Sequence, residues 1–181
     1  MKFRAVAFAL ALAAPAHADD WFLHEYGELR AFHGDWTAVC NDAGAGDCRV
    51  VQTQKDPGSD AFFDSRLSLL RRHSGSGWTV ELMDRGLINS DVRAVTLSVD
   101  GTTVPVDADD WTPSRTSDDN AIDSLYITGA DVTDRLVALM RPGAWVTLGY
   151  DPASDGDGMA AFSLRGVTAA MGAVDAQISQ R

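Results

Sequence analysis

The chain has 181 residues, 45% of them hydrophobic, and carries 26 acidic groups against 15 basic ones, a formal net charge of −11. Such a chain repels phosphate backbones and anionic head groups, which argues against nucleic acid and against electrostatic docking on membranes. Its length and apolar content suit a single domain with a core of its own.

The N-terminus reads Met1-Lys2-Phe3-Arg4, an apolar run from Ala5 to Ala14, then Pro15-Ala16-His17-Ala18 ahead of Asp19-Asp20. A positive head, a short apolar stretch and a small-x-small end predict a cleavable secretory signal peptide over residues 1–18, cut after Ala18. A membrane anchor would need about twenty apolar residues, and this run is half that. No cysteine follows the cut, which argues against a lipid anchor, and no later run is long and apolar enough to predict a transmembrane segment. Loss of Lys2 and Arg4 takes 15 basic groups to 13 against 26 acids, a net charge of −13. The expectation is a periplasmic or secreted protein with one β-rich domain over 19–181.

An oxidising compartment favours pairing of Cys40 and Cys48. The seven residues between them are rich in Gly, Asn and Asp, and the flanks Asp35 to Val39 and Arg49 to Thr53 are rich in strand formers. This predicts a β-hairpin with a disulfide near its mouth. The alternative is a redox-active pair, but such pairs favour a Cys-x-x-Cys spacing at a helix start.

Further along, Phe63 to Leu70, Trp78 to Leu82 and Ala94 to Val99 alternate in polarity as strands do. Asp100-Gly101 predicts a tight hairpin turn into Thr102 to Val106. Residues 107–123 are polar and acidic and are expected to form a loop interrupted by Trp111; Ser124 to Thr128 is a short predicted strand. Asp131 is placed to cap a helix through Met140 that Pro142-Gly143 ends. Trp145 to Tyr150 and Met159 to Leu164 are predicted partner strands around a loop at 151–158. Leu164, Val167, Met171, Val174 and Ile178 then step by three and four, the spacing of one helical face. The expected fold is mainly β, a β-sandwich or open barrel of about eight strands with two short helices in the C-terminal third.

Phe32-His33-Gly34-Asp35-Trp36 with Cys40, Cys48 and Gln52 resembles the opening of the invasion-associated locus B family, small exported proteins of Gram-negative bacteria. Phe162-Ser163-Leu164-Arg165-Gly166-Val167-Thr168-Ala169-Ala170 is similar to that family's close, and Leu136 to Gly143 resembles the helix-and-glycine segment before it. The resemblance covers the two ends and thins between residues 55 and 125. It implies an all-β periplasmic or envelope-associated protein without established catalysis, some members being linked to host-cell invasion. Many relatives carry a second, central cysteine pair; this chain has none.

Candidate chemistry is sparse. His24, His33 and His73 sit in no paired-histidine metal motif or nucleophile elbow, and Ser74 and Ser76 fall in a glycine-rich turn without the Gly-x-Ser-x-Gly spacing. Asp151, Asp155 and Asp157 come closest to a calcium loop, but the first pair is four apart and no distal Glu closes the site. Trp36, Trp78 and Trp145 begin or sit inside predicted strands and are expected to fill the core; Trp111 is expected to be an exposed contact. The C-terminal helix is expected to cover the open end of its own sheet. No catalytic, cofactor-binding or metal-ligating residue is predicted. The expected function is non-catalytic binding of an envelope or host protein, or of a glycan or other surface polymer, with Trp111 as anchor. The alternative is a small periplasmic hydrolase whose site is assembled from residues distant in sequence.

Overall fold

The computed structural model describes residues 21–75, 77–87, 92–114, 124–151 and 158–180. The predicted signal peptide and its cut, Ser76, the segment 115–123, Asp155 and Asp157 lie outside them.

The described strands are β1 (Phe22–Leu23), β2 (Leu29–His33), β3 (Trp36–Cys40), β4 (Cys48–Gln54), β5 (Ser65–Arg71), β6 (Trp78–Asp84), β7 (Val95–Val99) and β8 (Thr102–Val104). They continue with β9 (Trp111–Ser114), β10 (Ser124–Ile127), β11 (Trp145–Tyr150) and β12 (Gly158–Ser163), with helices α1 (Ala130–Met140) and α2 (Val167–Ser179). All strand pairings are antiparallel: an eight-stranded sheet in the order β1-β2-β3-β4-β5-β6-β10-β9 and a four-stranded sheet in the order β12-β11-β7-β8. The β-sandwich expectation is met, with more strands than expected. The additions are the N-terminal pair β1–β2 and the edge strand β9, which holds Pro113 where a missing N–H is tolerated.

Directly opposed residues of an antiparallel pair share a face. One inner row therefore crosses the large sheet through Ala31, Ala38, Val50, Leu69, Val80 and Ile127, all buried. Facing it are Val95, Leu97, Val99, Val146, Leu148, Tyr150 and Phe162 of the small sheet. Helix α1 packs against β6, β7 and β8 and so touches both sheets, whereas α2 packs on β2, β3 and β4. The predicted stripe of α2 is its buried side, with Val167, Met171 and Val174 in the core. Helix α2 covers part of a sheet face rather than an open sheet end. Helix α1 begins at Ala130 with Gly129 as its cap, and Asp131 falls in the first turn, where its charge still suits the positive end of the helix.

The two ends of the chain close the sandwich along β12. Trp36 Nε1 donates to the Ser163 carbonyl at 2.8 Å, and Gln54 Nε2 donates to the Ala161 carbonyl. Side chains of β3 and β4 thus occupy acceptors on the edge of β12, which blunts that edge against stray pairing. Beside them Asp35 N donates to the Arg165 carbonyl at 3.0 Å. Gly34, at φ +60°, allows this approach, since a Cβ there would stand 2.6 Å from the Arg165 oxygen.

Candidate functional site

Because the Ala31 row faces inward, the alternate row faces outward: Phe32, Thr37, Val51, Ser68, Glu81, Tyr126 and Thr112. At the β2–β5 end this face holds a groove of about 410 Å³ whose lining includes Arg30, Phe32, Arg49, Phe62, Phe63 and Arg66. Phe62 is 94% exposed and Phe32 71%; Phe32 stacks on Phe22 at 5.5 Å between centroids. A second cleft, of about 740 Å³, continues the face at its other end, where Thr79, Tyr126, Thr112 and Ser114 lie near Trp78 and Arg72.

The arginines of the groove are held by carboxylates. Glu28 accepts from Arg30 Nε at 2.9 Å and from Arg49 Nη2 at 2.8 Å, and Arg49 Nη1 also reaches Asn41 Oδ1 at 3.1 Å. Burial would raise the Glu28 pKa, but hydrogen bonds and charge from Arg30 and Arg49 outweigh it and hold the pKa below the usual carboxylate range. The Arg66 guanidinium lies 5.6 Å from the Phe63 ring centre and reaches Glu81 at 3.1 Å. The groove is therefore aromatic and donor-rich, its three arginines sharing two carboxylates.

Glu81 is buried in the middle of this face, and a buried carboxylate must be partnered. It accepts from Tyr126 at 2.6 Å, Ser124 at 3.2 Å and Arg66; burial first and then Glu81 itself raise the Tyr126 pKa. Ser68 stands opposite Glu81 in the register, and among the described residues its hydroxyl has no hydrogen-bond partner. A serine beside a carboxylate invites a hydrolytic reading, but Ser68 is 0% exposed, and a nucleophile must reach its substrate. The cluster is built as an ion-pair and hydroxyl network within the sheet.

The outward face of the small sheet has a different chemistry. Its rows are Thr103, Ser98, Thr147 and Ala161, then Thr96, Gly149 and Met159, then Trp145 and Ser163. Trp145 is 54% exposed there, which corrects the expectation that it fills the core. Asp100, in the turn between β7 and β8, holds it in place: its carboxylate accepts from Ala144 N and Trp145 N, each at 2.9 Å, and its own N–H reaches the Trp145 carbonyl at 3.0 Å. The two sheets are also tied by Tyr150 of β11, whose hydroxyl donates to Asp84 of β6 at 2.8 Å.

Other sequence-derived sites fall as follows. Cys40 and Cys48 face each other across β3 and β4 and form a disulfide. Residues 107–114 are not a loop: Asp107 and Asp110 form a capping box around a 3-10 turn, Ala108–Asp110, that leads into β9. Trp111 pairs in register with the core residue Ile127, so its side chain takes the inner face and packs against the core. Trp36 is in the core and Trp78 packs at its margin, where Arg71 lies 5.6 Å from its ring centre. His24 lies between β1 and β2, His33 ends β2, and His73 follows β5, where its N–H donates to Asp47 at 2.7 Å. Ser74 lies in the turn between β5 and β6. Asp151 pairs with Arg93 at 3.3 Å. Among the described residues no group of three or more His, Cys, Asp or Glu is assembled to hold a metal.

The sequence reading missed Phe32 and Phe62 as exposed aromatics and Trp145 as an outward one. For Trp145 the signal was present, since period two with Val146, Leu148 and Tyr150 inward puts Trp145 outward.

No family model and no curated protein matches the chain. Among solved structures it is similar to invasion-associated protein B from Bartonella henselae, at 16% identity and a TM-score of 0.59 over 84% of this chain and 99% of that one. The resemblance carried by the two terminal motifs is thus met at the level of the fold.

Proposed function

We propose that this chain is an exported envelope protein that works without catalysis by binding a protein or surface-polymer partner across the outer face of its large sheet. The observation that carries the reading is the groove where Phe32 and Phe62 stand exposed beside arginines held in place by Glu28 and Glu81. Contiguous exposed aromatics on a soluble domain mark interaction sites, and aromatic residues with arginine are the usual anchors of interfaces. Export rests on the sequence of residues 1–18, and the disulfide and the fold shared with an invasion-associated protein support it. Trp111 enters the reading indirectly, as the inner support of β9 beneath the larger cleft.

The test is affinity capture of the mature protein from envelope extract, beside a Phe32→Ser/Phe62→Ser variant with unchanged melting temperature. The variant should lose the partner that the wild type retains; equal capture by both would move the binding surface elsewhere. N-terminal sequencing of the periplasmic product should start at Asp19, and a membrane species that keeps Met1 would contradict export by cleavage.

A further inference from the structure

We infer that the outer face of the small sheet is a platform for an uncharged polysaccharide chain, with Trp145 as its stacking surface. The inference is independent of the groove on the large sheet, which lies on the other side of the sandwich.

The face contains nine outward positions in register, from Thr96 on β7 to Ser163 on β12, and none carries an ionisable group. Charges make up 23% of this chain and concentrate on surfaces, so about two or more of nine such positions would be expected to ionise. Five of the nine carry hydroxyls instead. Thr103, Ser98 and Thr147 form one row across three neighbouring strands, which spaces their hydroxyls at about 5 Å, the scale of a single sugar ring. A set of outward positions rich in hydroxyls and free of charge suits a ligand whose own hydrogen-bonding edge is made of hydroxyls. An ionic ligand would find no countercharge among these nine positions; of the carboxylates at the margin, Asp151 is paired with Arg93 and Asp100 with the backbone N–H groups of Ala144 and Trp145.

The second requirement of a sugar is an apolar plate for the C–H face of its ring. Trp145 supplies one, more than half exposed at the end of the hydroxyl rows. Asp100 fixes the backbone on both sides of the Trp145 Cα, so the main chain that carries the indole needs no ordering on binding. Gly149 contributes no side chain, and toward the end of the face away from Trp145 a depression of about 530 Å³ opens over Thr96, Ser98, Thr103, Thr147 and Gly149, with Asp151 at its margin, within the range of about 300–1,000 Å³ common for ligand sites. Because the two outer faces point away from each other, polysaccharide on one leaves the aromatic groove on the other free. Such a protein bridges a glycan and a second partner.

The test titrates the mature protein with chitohexaose and with maltohexaose, by calorimetry and tryptophan fluorescence, at low and high salt. Saturable binding to at least one sugar, unchanged by salt, is expected. Trp145→Ala should weaken it by about tenfold or more, the scale of losing an aromatic anchor. Thr147→Arg should do the same by placing a charge in the hydroxyl row, and it decides the matter if Trp145→Ala fails to fold. Phe32→Ser/Phe62→Ser should bind sugar as the wild type does. Absence of saturable binding to either sugar, steep salt dependence, or an affinity indifferent to both small-sheet variants overturns the inference. So does a concentration-dependent dimer that Trp145→Ala dissolves, since a second copy would then be what covers the face.

Discussion

The indole of Trp36 donates to the carbonyl of Ser163 at 2.8 Å, joining residues 127 positions apart. Trp36 belongs to the opening motif and Ser163 to the closing one, so the two stretches that carry the family resemblance meet at one seam of the sandwich. Trp36→Phe keeps an aromatic ring in the core but deletes the donor, leaving a carbonyl on the β12 edge unpaired. An unsatisfied buried acceptor and a small cavity together cost about 2–3 kcal/mol. Urea unfolding should show a lower midpoint at unchanged slope; an unmoved midpoint would mean that the bond contributes nothing.

Trp111→Ala should destabilise the domain, because Trp111 closes the inner row that runs from Ala31 to Ile127. The side chain is partly exposed at the sheet edge, so the cost is expected below that of a fully buried tryptophan, at about 2 kcal/mol. A melting temperature equal to that of the wild type would return Trp111 to the role of a free contact residue.

The contrast between Trp145 and Trp111 shows how far the sequence could be read. Strands β7 and β11 alternate cleanly, and their buried faces follow from period two alone. Strand β9 does not: Thr112, Pro113 and Ser114 are exposed, and only pairing with β10 makes the segment a strand. Strand β2 is obscure for a similar reason, since Ala31 alone among its five residues is buried. The Cys40–Cys48 hairpin is local and legible. The groove is not, because Phe32 and Phe62 come from separate elements that are brought together only by the folded sheet and its loop. The link from Trp36 to Ser163 has no local signal either; only the motif resemblance pointed to those two segments.

Glu28 ties Arg30 to Arg49 across the groove, and its lowered pKa means that the ionised form is favoured in the folded state. Stabilisation of this sign is present above the unfolded-state pKa and is lost as pH falls through the folded-state value. Glu28→Gln should therefore be less stable than the wild type at neutral pH, by about 1 kcal/mol at most for so accessible a pair of ion pairs. The two proteins should converge on acidification. A difference that persists in acid would point to packing rather than charge.

Asp84 should show the opposite pH dependence. Its carboxylate is drawn into the seam between β6 and β11, where it accepts from the Tyr150 hydroxyl at 2.8 Å and from Gly86 N at 2.7 Å. Burial is the largest influence and raises its pKa; Asp56 and Asp64 push the same way, against the two hydrogen bonds. A carboxyl whose folded pKa lies above the unfolded one binds more protons in the native state, so stability falls as pH rises between the two values. The penalty is absent below the unfolded pKa and complete above the folded one. Asp84→Asn keeps an acceptor for Tyr150 and Gly86 but cannot ionise. The variant should melt above the wild type at neutral pH, and the gap should close on titration into acid. Tyr150→Phe separates the bond from the charge: it removes a donor that stabilises ionised Asp84, so it should lower stability at neutral pH more than in acid. Parallel pH profiles for Asp84→Asn and wild type would show that Asp84 is as free to ionise in the folded chain as in the unfolded one.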